Sequence, residues 1–497
     1  MSMSEVTIES AYGKLEGQKL NEVYVWKGIP YAAPPLGDFR FRPPVPPEAW
    51  DGVRNAAEFG PIALQAPSEV MNFLGSELEK SDEDCLYLNV WSPGADGKRR
   101  PVMVWIHGGA FAAGSGSGAM YDGASFAAEG DVVVVTINYR LGVFGFLHLG
   151  ETGGEEFAGS GNCGILDQVA ALQWVQDNIE KFGGDPSQVT VFGESAGAMS
   201  IGVLLAMPAA KGLFQRAVLQ SGAAANVHST GIAEKVAGRL LAALDIGPGN
   251  IEKLREMPAQ QLLKTAALLP YMSLVPVVDG ISLPEHPEQA LAKGAAKDIS
   301  ILIGTNKDEY RLFSYFDPRW KNEDEKEITS IFEQTFGLGW EGISSQFPEN
   351  TKLNQDIYDG LLTMSVFTAP AIRLAEQQVK LSAPVWVYRF DWETPVMEGA
   401  LKACHALEIP FVWNTIEKPG MEKLIGNASE RNELALNMHR TWIQFAKSGN
   451  PNNPALPEWP SYNLESRPVL IFNSEHRIVN DPNSDERKNW EKTVVRS

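Results

Sequence analysis

A serine hydroxyl becomes a nucleophile only where it stands clear of bulk and a base lies within reach. Gly193-Glu194-Ser195-Ala196-Gly197 meets the first condition. The pentapeptide follows the β-rich Val189-Thr190-Val191-Phe192 and precedes an Ala-, Met- and Leu-rich run, 198–207, that stops at Pro208. Strand, sharp turn and helix in that order describe a nucleophile elbow, whose glycines two positions before and after the serine remove side chains that would collide. The start of the following helix also brings unpaired N–H groups and partial positive charge to an oxyanion at the serine. A phosphate or packing turn uses the same glycines, so the pentapeptide alone does not decide between them.

A second glycine turn narrows the choice. The apolar run 101–106 leads directly into His107-Gly108-Gly109-Ala110-Phe111. Consecutive glycines let a backbone turn its N–H groups into a cavity. The N–H groups of Gly108, Gly109 and Ala196 are the expected oxyanion hole, where one lost donor costs about 3 to 4 kcal/mol of barrier.

The base must be a histidine. There are seven, at 107, 148, 228, 286, 405, 439 and 476. An elbow of this type carries its triad in the order serine, acid, histidine, which removes His107 and His148. His228 and His286 leave little room for a strand bearing the acid. Of the rest, His439 falls within a helical pattern and His476 follows the final strand-like run, whereas His405 lies in a loop after the run 385–390. His405 is therefore favoured. The acid should follow a strand between serine and histidine, and the run 299–303 leads into Gly304-Thr305-Asn306-Lys307-Asp308-Glu309. Spacing does not choose between Asp308 and Glu309, and acidic capping of a helix start would use either.

These residues need a scaffold. Seven short runs, 101–106, 132–137, 189–192, 217–219, 299–303, 385–390 and 469–472, are apolar on consecutive positions, the pattern of strands buried on both faces of a parallel sheet. Between the second and third, Ile165, Val169, Leu172, Val175, Ile179 and Phe182 recur at steps of three and four, which makes an amphipathic helix. Strand and helix alternate, so the expected class is α/β. Residues 315–381 break the rhythm and read as a helical insertion over one end of the sheet. Runs on both sides of the insertion supply candidate site residues, so residues 1–497 are expected to form one enlarged domain.

Composition bounds the function. Of 497 residues, 44% are hydrophobic and 21% charged, which suits a globular chain with a large core. The net charge of −20 works against nucleic acid and anionic membranes as partners. The N-terminus shows no basic stretch followed by an apolar one, no apolar run approaches a bilayer's thickness, and three cysteines build no disulfide framework. A cytoplasmic location is expected. Asp481, Asn483 and Asp485 imitate a calcium loop, but Glu486 and Lys492 occupy positions that need glycine and glutamate, so no metal is expected there.

The motifs together resemble the type-B carboxylesterase and cholinesterase family of α/β-hydrolases, and within it the bacterial para-nitrobenzyl esterases and thermostable bacilli carboxylesterases. The similarity runs from Val6 to Trp490 and is carried by Trp26-Lys27-Gly28-Ile29-Pro30-Tyr31-Ala32, Arg40-Phe41-Arg42-Pro43-Pro44, Glu83-Asp84-Cys85-Leu86-Tyr87-Leu88-Asn89, Asn138-Tyr139-Arg140 and Phe182-Gly183-Gly184-Asp185-Pro186. The resemblance implies a mostly parallel central sheet flanked by helices, with helical insertions over the active site. It makes Glu309 the triad acid and His405 the base, and gives Ser221 a supporting place beside them. Secreted relatives pair the cysteine matching Cys85 with one in the preceding loop, but Gly60-Pro61-Ile62-Ala63-Leu64-Gln65 has none, which leaves Cys85 a free thiol.

The expected chemistry is hydrolysis of small to medium, apolar or aromatic esters through an acyl-enzyme on Ser195, without metal or organic cofactor. Phe111, Leu312, Phe313 and Phe367 are the expected pocket lining. A cholinesterase-like binding protein without catalysis, and a carbamate or amide hydrolase using the same triad, are the alternatives. Nothing in the sequence fixes the oligomeric state, and a monomer is compatible with it.

Overall fold

The computed structural model describes residues 4–74, 80–247, 249–321, 324–345, 347–348 and 351–494. Its main sheet has thirteen strands. They are β1 (Ser4–Ser10), β2 (Gly13–Leu20), β3 (Val23–Pro30), β4 (Val53–Asn55), β5 (Tyr87–Ser92), β6 (Arg100–Ile106), β7 (Val133–Ile137), β8 (Gly184–Glu194), β9 (Arg216–Gln220), β10 (Ser300–Asn306), β11 (Val385–Phe390), β12 (Pro468–Phe472) and β13 (Arg477–Asn480). Their order across the sheet is β1-β2-β3-β5-β7-β6-β8-β9-β10-β11-β12-β13, with β4 against β2.

The seven apolar runs become β6 to β12, and each of these pairs in parallel with its neighbours in that group. The alternation along β7 shows why they are apolar throughout. Val133, Val135 and Ile137 enter one core, while Val132 and Val134 enter the other. The first core receives the helix Cys163–Asn178, which continues as a tighter turn over Ile179–Phe182, and the second receives the helices Ile409–Trp413 and Arg431–Ser448. Just after β7, Arg140 forms a fully buried two-pronged pair with Asp167, at 2.8 Å from Nε and 2.7 Å from Nη2, which ties the strand exit to that first helix.

An antiparallel meander, β1-β2-β3-β5, extends the sheet at its N-terminal edge. Of the 315–381 stretch, the helices Glu325–Phe336 and Gln355–Leu362 build a small apolar cluster of their own, with Phe332 and Tyr358 at its centre. The last helix, Ala369–Lys380, returns to the main core through Ala371, Leu374 and Ala375. No described helix is long and apolar enough to cross a membrane.

Candidate active site

Ser195 sits between β8 and the helix Ala196–Leu204 with φ 53° and ψ −124°, a backbone state that non-glycine residues rarely hold. The surroundings enforce it. An added Cβ at Gly197 would come 2.0 Å from the Ile106 carbonyl oxygen, and one at Gly193 would come 2.6 Å from the same atom. The two glycines therefore let the elbow rest directly on the end of β6. The Ser195 N–H donates to the Gln220 carbonyl at 2.9 Å, which fixes the elbow to β9 as well.

The loop after β6 approaches from the other side. Gly109 takes φ 109°, and a Cβ there would lie 2.1 Å from the Ala113 carbonyl oxygen, so only glycine fits. The N–H groups of Gly108, Gly109 and Ala196 have no acceptor among the described residues. His107 braces this loop: its Nδ1 donates to the Gly108 carbonyl at 2.8 Å, and its ring stacks on Tyr139 at 4.4 Å. Burial pulls its pKa down to about 4, so it stays neutral.

Glu309 and His405 meet at the ends of β10 and β11. His405 Nδ1 lies 2.6 Å from Glu309 Oε2, and Glu309 Oε1 accepts from the Asn306 N–H at 2.8 Å. The glutamate is fully buried and both of its oxygens are engaged. Asp308 serves the loop instead, since its N–H donates to the Ala403 carbonyl at 3.0 Å and pins the segment that carries the histidine. The imidazole is flanked by Phe313 and Phe367, with ring centroids at 5.2 and 4.9 Å. Phe367 belongs to a π-helical turn, Thr363–Thr368, at the head of the helix Ala369–Lys380. His439, the nearest sequence rival, is fully buried, and its Nδ1 donates to the Val412 carbonyl at 2.8 Å, so its role is packing. His476 Nε2 contacts Asn437 instead.

Glu194, the residue before the serine, adds a feature that the motif did not disclose. Its Oε1 lies 3.0 Å from His405 Nε2, in a charge contact too oblique to count as a hydrogen bond. Burial by itself lowers the pKa of His405, but the carboxylates of Glu194 and Glu309 outweigh it and hold the imidazole well above 6.5. Burial also raises Glu194, while His405 opposes that rise. Ser195 Oγ itself makes no hydrogen bond among the described residues and opens onto the cavity. Behind the triad, Glu408 accepts from Gln220 Nε2 at 3.0 Å and from Asn306 Nδ2 at 2.7 Å. Burial, with Glu194 and Glu309 nearby, pushes it up to about 8.

Ser195, Glu194, His405, Gly108 and Gly109 share one cavity of about 280 Å³. Its walls are mostly apolar. Leu312 and Phe313 line it as expected from the sequence, together with Val70, Met71, Met120 and Ile409, which the sequence did not point to. Tyr271 also lines it while remaining 75% exposed, which places it at the rim. The expectation for Phe111 is corrected. At φ 59° the chain turns its side chain away, and the ring is completely buried against Phe146 at a centroid distance of 5.1 Å. Phe367 touches the back of the imidazole and is not part of the wall. Ser221 is buried with φ 54°, its N–H donates to the Gly304 carbonyl at 2.8 Å, and its Oγ has no partner among the described residues. A Cβ at the adjoining Gly222 would come 2.6 Å from the Ser195 carbonyl oxygen, so this segment backs the elbow.

Residues 3–490 match the model of the carboxylesterase family. The chain is 44% identical to the para-nitrobenzyl esterase of Bacillus subtilis (strain 168) over 98% of each chain. It is 35% identical to the phenmedipham hydrolase of Pseudarthrobacter oxydans, covering 93% of this chain and 94% of that protein. Among solved structures, a carboxylesterase of Geobacillus stearothermophilus superposes with a TM-score of 0.88 at 48% identity, over 97% of this chain and 99% of that one.

Proposed function

The chain belongs to the carboxylesterase family and hydrolyses carboxylic esters, and from that premise we propose that Ser195, His405 and Glu309 are its catalytic triad. Ser195 Oγ attacks the ester carbonyl while His405 Nε2 takes its proton. Glu309, held against Nδ1, fixes the tautomer and stabilises the imidazolium. The developing oxyanion falls among the free N–H groups of Gly108, Gly109 and Ala196 at the head of a buried helix. The alcohol leaves with the proton that His405 returns to it. Water, deprotonated by the same imidazole, then releases the acid and restores the serine.

The observation that carries this reading is the contact of 2.6 Å between His405 Nδ1 and Glu309, on an imidazole that shares a cavity with Ser195 and the glycine loop. An apolar space of about 280 Å³ suits small to medium esters with apolar or aromatic groups, para-nitrophenyl and para-nitrobenzyl esters among them. A fluorophosphonate should label Ser195 stoichiometrically and abolish para-nitrophenyl butyrate hydrolysis. Folded protein that is neither labelled nor active would instead be a binding protein on this scaffold. A higher kcat/KM on matched carbamates or amides than on esters would reassign the preferred bond. We further infer one catalytic domain over the whole chain, with 315–381 as an insertion in it, and a cytoplasmic location, supported by three buried free thiols.

A further inference from the structure

Away from the catalytic cavity, His148 presents an unsolved polar problem. The side chain is 5% exposed, and neither ring nitrogen has a hydrogen-bond partner among the described residues. A neutral imidazole carries one donor and one lone pair, and burying both without partners is unfavourable. Nδ1 is hemmed in by Gly161, where an added Cβ would come within 3.1 Å of it. The other edge of the ring lies towards Gly150, in the helical turn Gly150–Gly153 that also carries Glu151. Across from that turn runs the helix Thr230–Ala243, carrying Glu234. The ligand atoms of His148, Glu151 and Glu234 all lie within 4.8 Å of one another.

We propose that His148, Glu151 and Glu234 form a binding site for one divalent transition-metal cation, with zinc the best fit. The imidazole lone pair supplies a borderline-soft ligand that magnesium and calcium do not favour, and two carboxylates balance the two positive charges. Zinc bonds of about 2.0–2.2 Å place tetrahedral ligand atoms roughly 3.4 Å apart. Both glutamates are exposed, so their side chains are free to close the remaining distance, while the buried imidazole stays fixed. Water would complete the coordination. The residues come from two segments, His148 and Glu151 from one and Glu234 from the helix Thr230–Ala243, and none of them lines the catalytic cavity. The metal would therefore act as a clasp. An apolar cluster already joins Leu147 and Leu149 to Ala237, Leu240 and Leu241 of the Thr230–Ala243 helix, and the cation would fasten the polar side of that same contact.

The test uses the full-length enzyme after treatment with a chelator, titrated with zinc by calorimetry and followed by thermal unfolding. One zinc should bind per chain, the unfolding midpoint should rise, and ester turnover should stay unchanged. Glu234→Gln and Glu151→Gln alter exposed residues, and each should weaken zinc binding at least tenfold and shrink the thermal shift at the same zinc concentration, while the metal-free midpoint stays at the wild-type value. His148→Gln should do the same if it folds, but the conclusion rests on the two glutamate variants. Failure to bind one equivalent at micromolar zinc would overturn the site. Binding of wild-type strength in both variants would overturn it too, since the zinc would then be adventitious.

Discussion

Replacing Gly108 by alanine separates an oxyanion donor from an ordinary loop residue. Gly108 does not hold a positive φ, so alanine meets no backbone penalty of its own. Its methyl carbon would instead fall 2.7 Å from the Glu194 carbonyl oxygen, 2.8 Å from Glu194 Oε2 and 3.1 Å from Ser195 Cβ. The carboxylate can swing aside, but the carbonyl is backbone of the elbow and cannot. Restoring ordinary contact requires the glycine loop and the elbow to part by roughly half an ångström or more, along the line between the serine and its donors. Oxyanion donors act over a window of about 2.7–3.1 Å, so that displacement removes about one donor's worth of stabilisation, about 2.7–4 kcal/mol. We expect kcat on para-nitrophenyl butyrate to fall by about 10²–10³ with KM nearly unchanged, because the loss is confined to the transition state. Overpacking should lower unfolding stability by only about 1–3 kcal/mol, measurable by urea titration. A folded variant that keeps kcat within a fewfold of wild type, or loses activity only through KM, refutes the assignment of this loop. Gly109→Ala is a poor substitute, since φ 109° and a clash at 2.1 Å with Ala113 would disturb the loop itself.

Other consequences are open to measurement. Glu309→Gln should lower kcat by about 10⁴ while leaving circular dichroism unchanged, and a loss below tenfold would remove Glu309 from the triad. His405 serves as a base only when neutral, so kcat/KM should fall as pH drops through its raised pKa; Glu194→Gln removes one of the two charges that raise it, and should move that acid limb to lower pH. A limb that stays fixed or moves up contradicts the charge contact. Glu408 is pushed from 4.5 to about 8 in the folded state, so its contribution to stability is full below the lower value and is lost as pH rises through the upper one. Glu408→Gln should flatten the dependence of the unfolding midpoint between pH 5 and 8. Below pH 4.5 it should cost about 1–3 kcal/mol, because Gln220 and Asn306 both donate to this carboxyl, and that cost should shrink as pH rises towards 8. Burial raises the thiols of Cys85, Cys163 and Cys404, so Ellman's reagent should find none in the native enzyme and three after unfolding; rapid native labelling would contradict the packing.

The parallel strands were legible because burial on both faces writes itself as uninterrupted apolar residues, as in 132–135. The meander was not, because β2 buries only Leu15 and Gly17, so a single apolar side chain marks its inner face among lysines, a glutamate and glycines. The elbow and glycine loop were readable since steric exclusion dictates residue type there. The choice of Glu309 over Asp308 was not readable from spacing, because adjacent side chains point to different places, one at the imidazole and one at the Ala403 segment. Glu194 was in plain view beside the serine, yet its contact with His405 depends on the dihedral angles of the elbow, which no residue type states. The cavity walls were the least legible part. Val70 arrives from a five-residue helix and Met120 and Tyr271 from turns, a convergence that leaves no periodic signal, and two consecutive left-handed residues, Ala110 and Phe111, sent the Phe111 ring into the core.

The arrangement of β8 to β11 has a kinetic side. Glu309 and His405 are separated by 96 positions, and their strands reach the serine only through pairings in which β9 joins β8, β10 joins β9, and β11 joins β10. Each pairing closes a long loop before its contacts repay the lost chain entropy, and such topologies fold slowly. During synthesis the ribosome must release the chain well beyond His405 before any turnover can begin. Recovery of esterase activity after denaturant dilution is thus a late clock, expected to lag behind the return of helical signal.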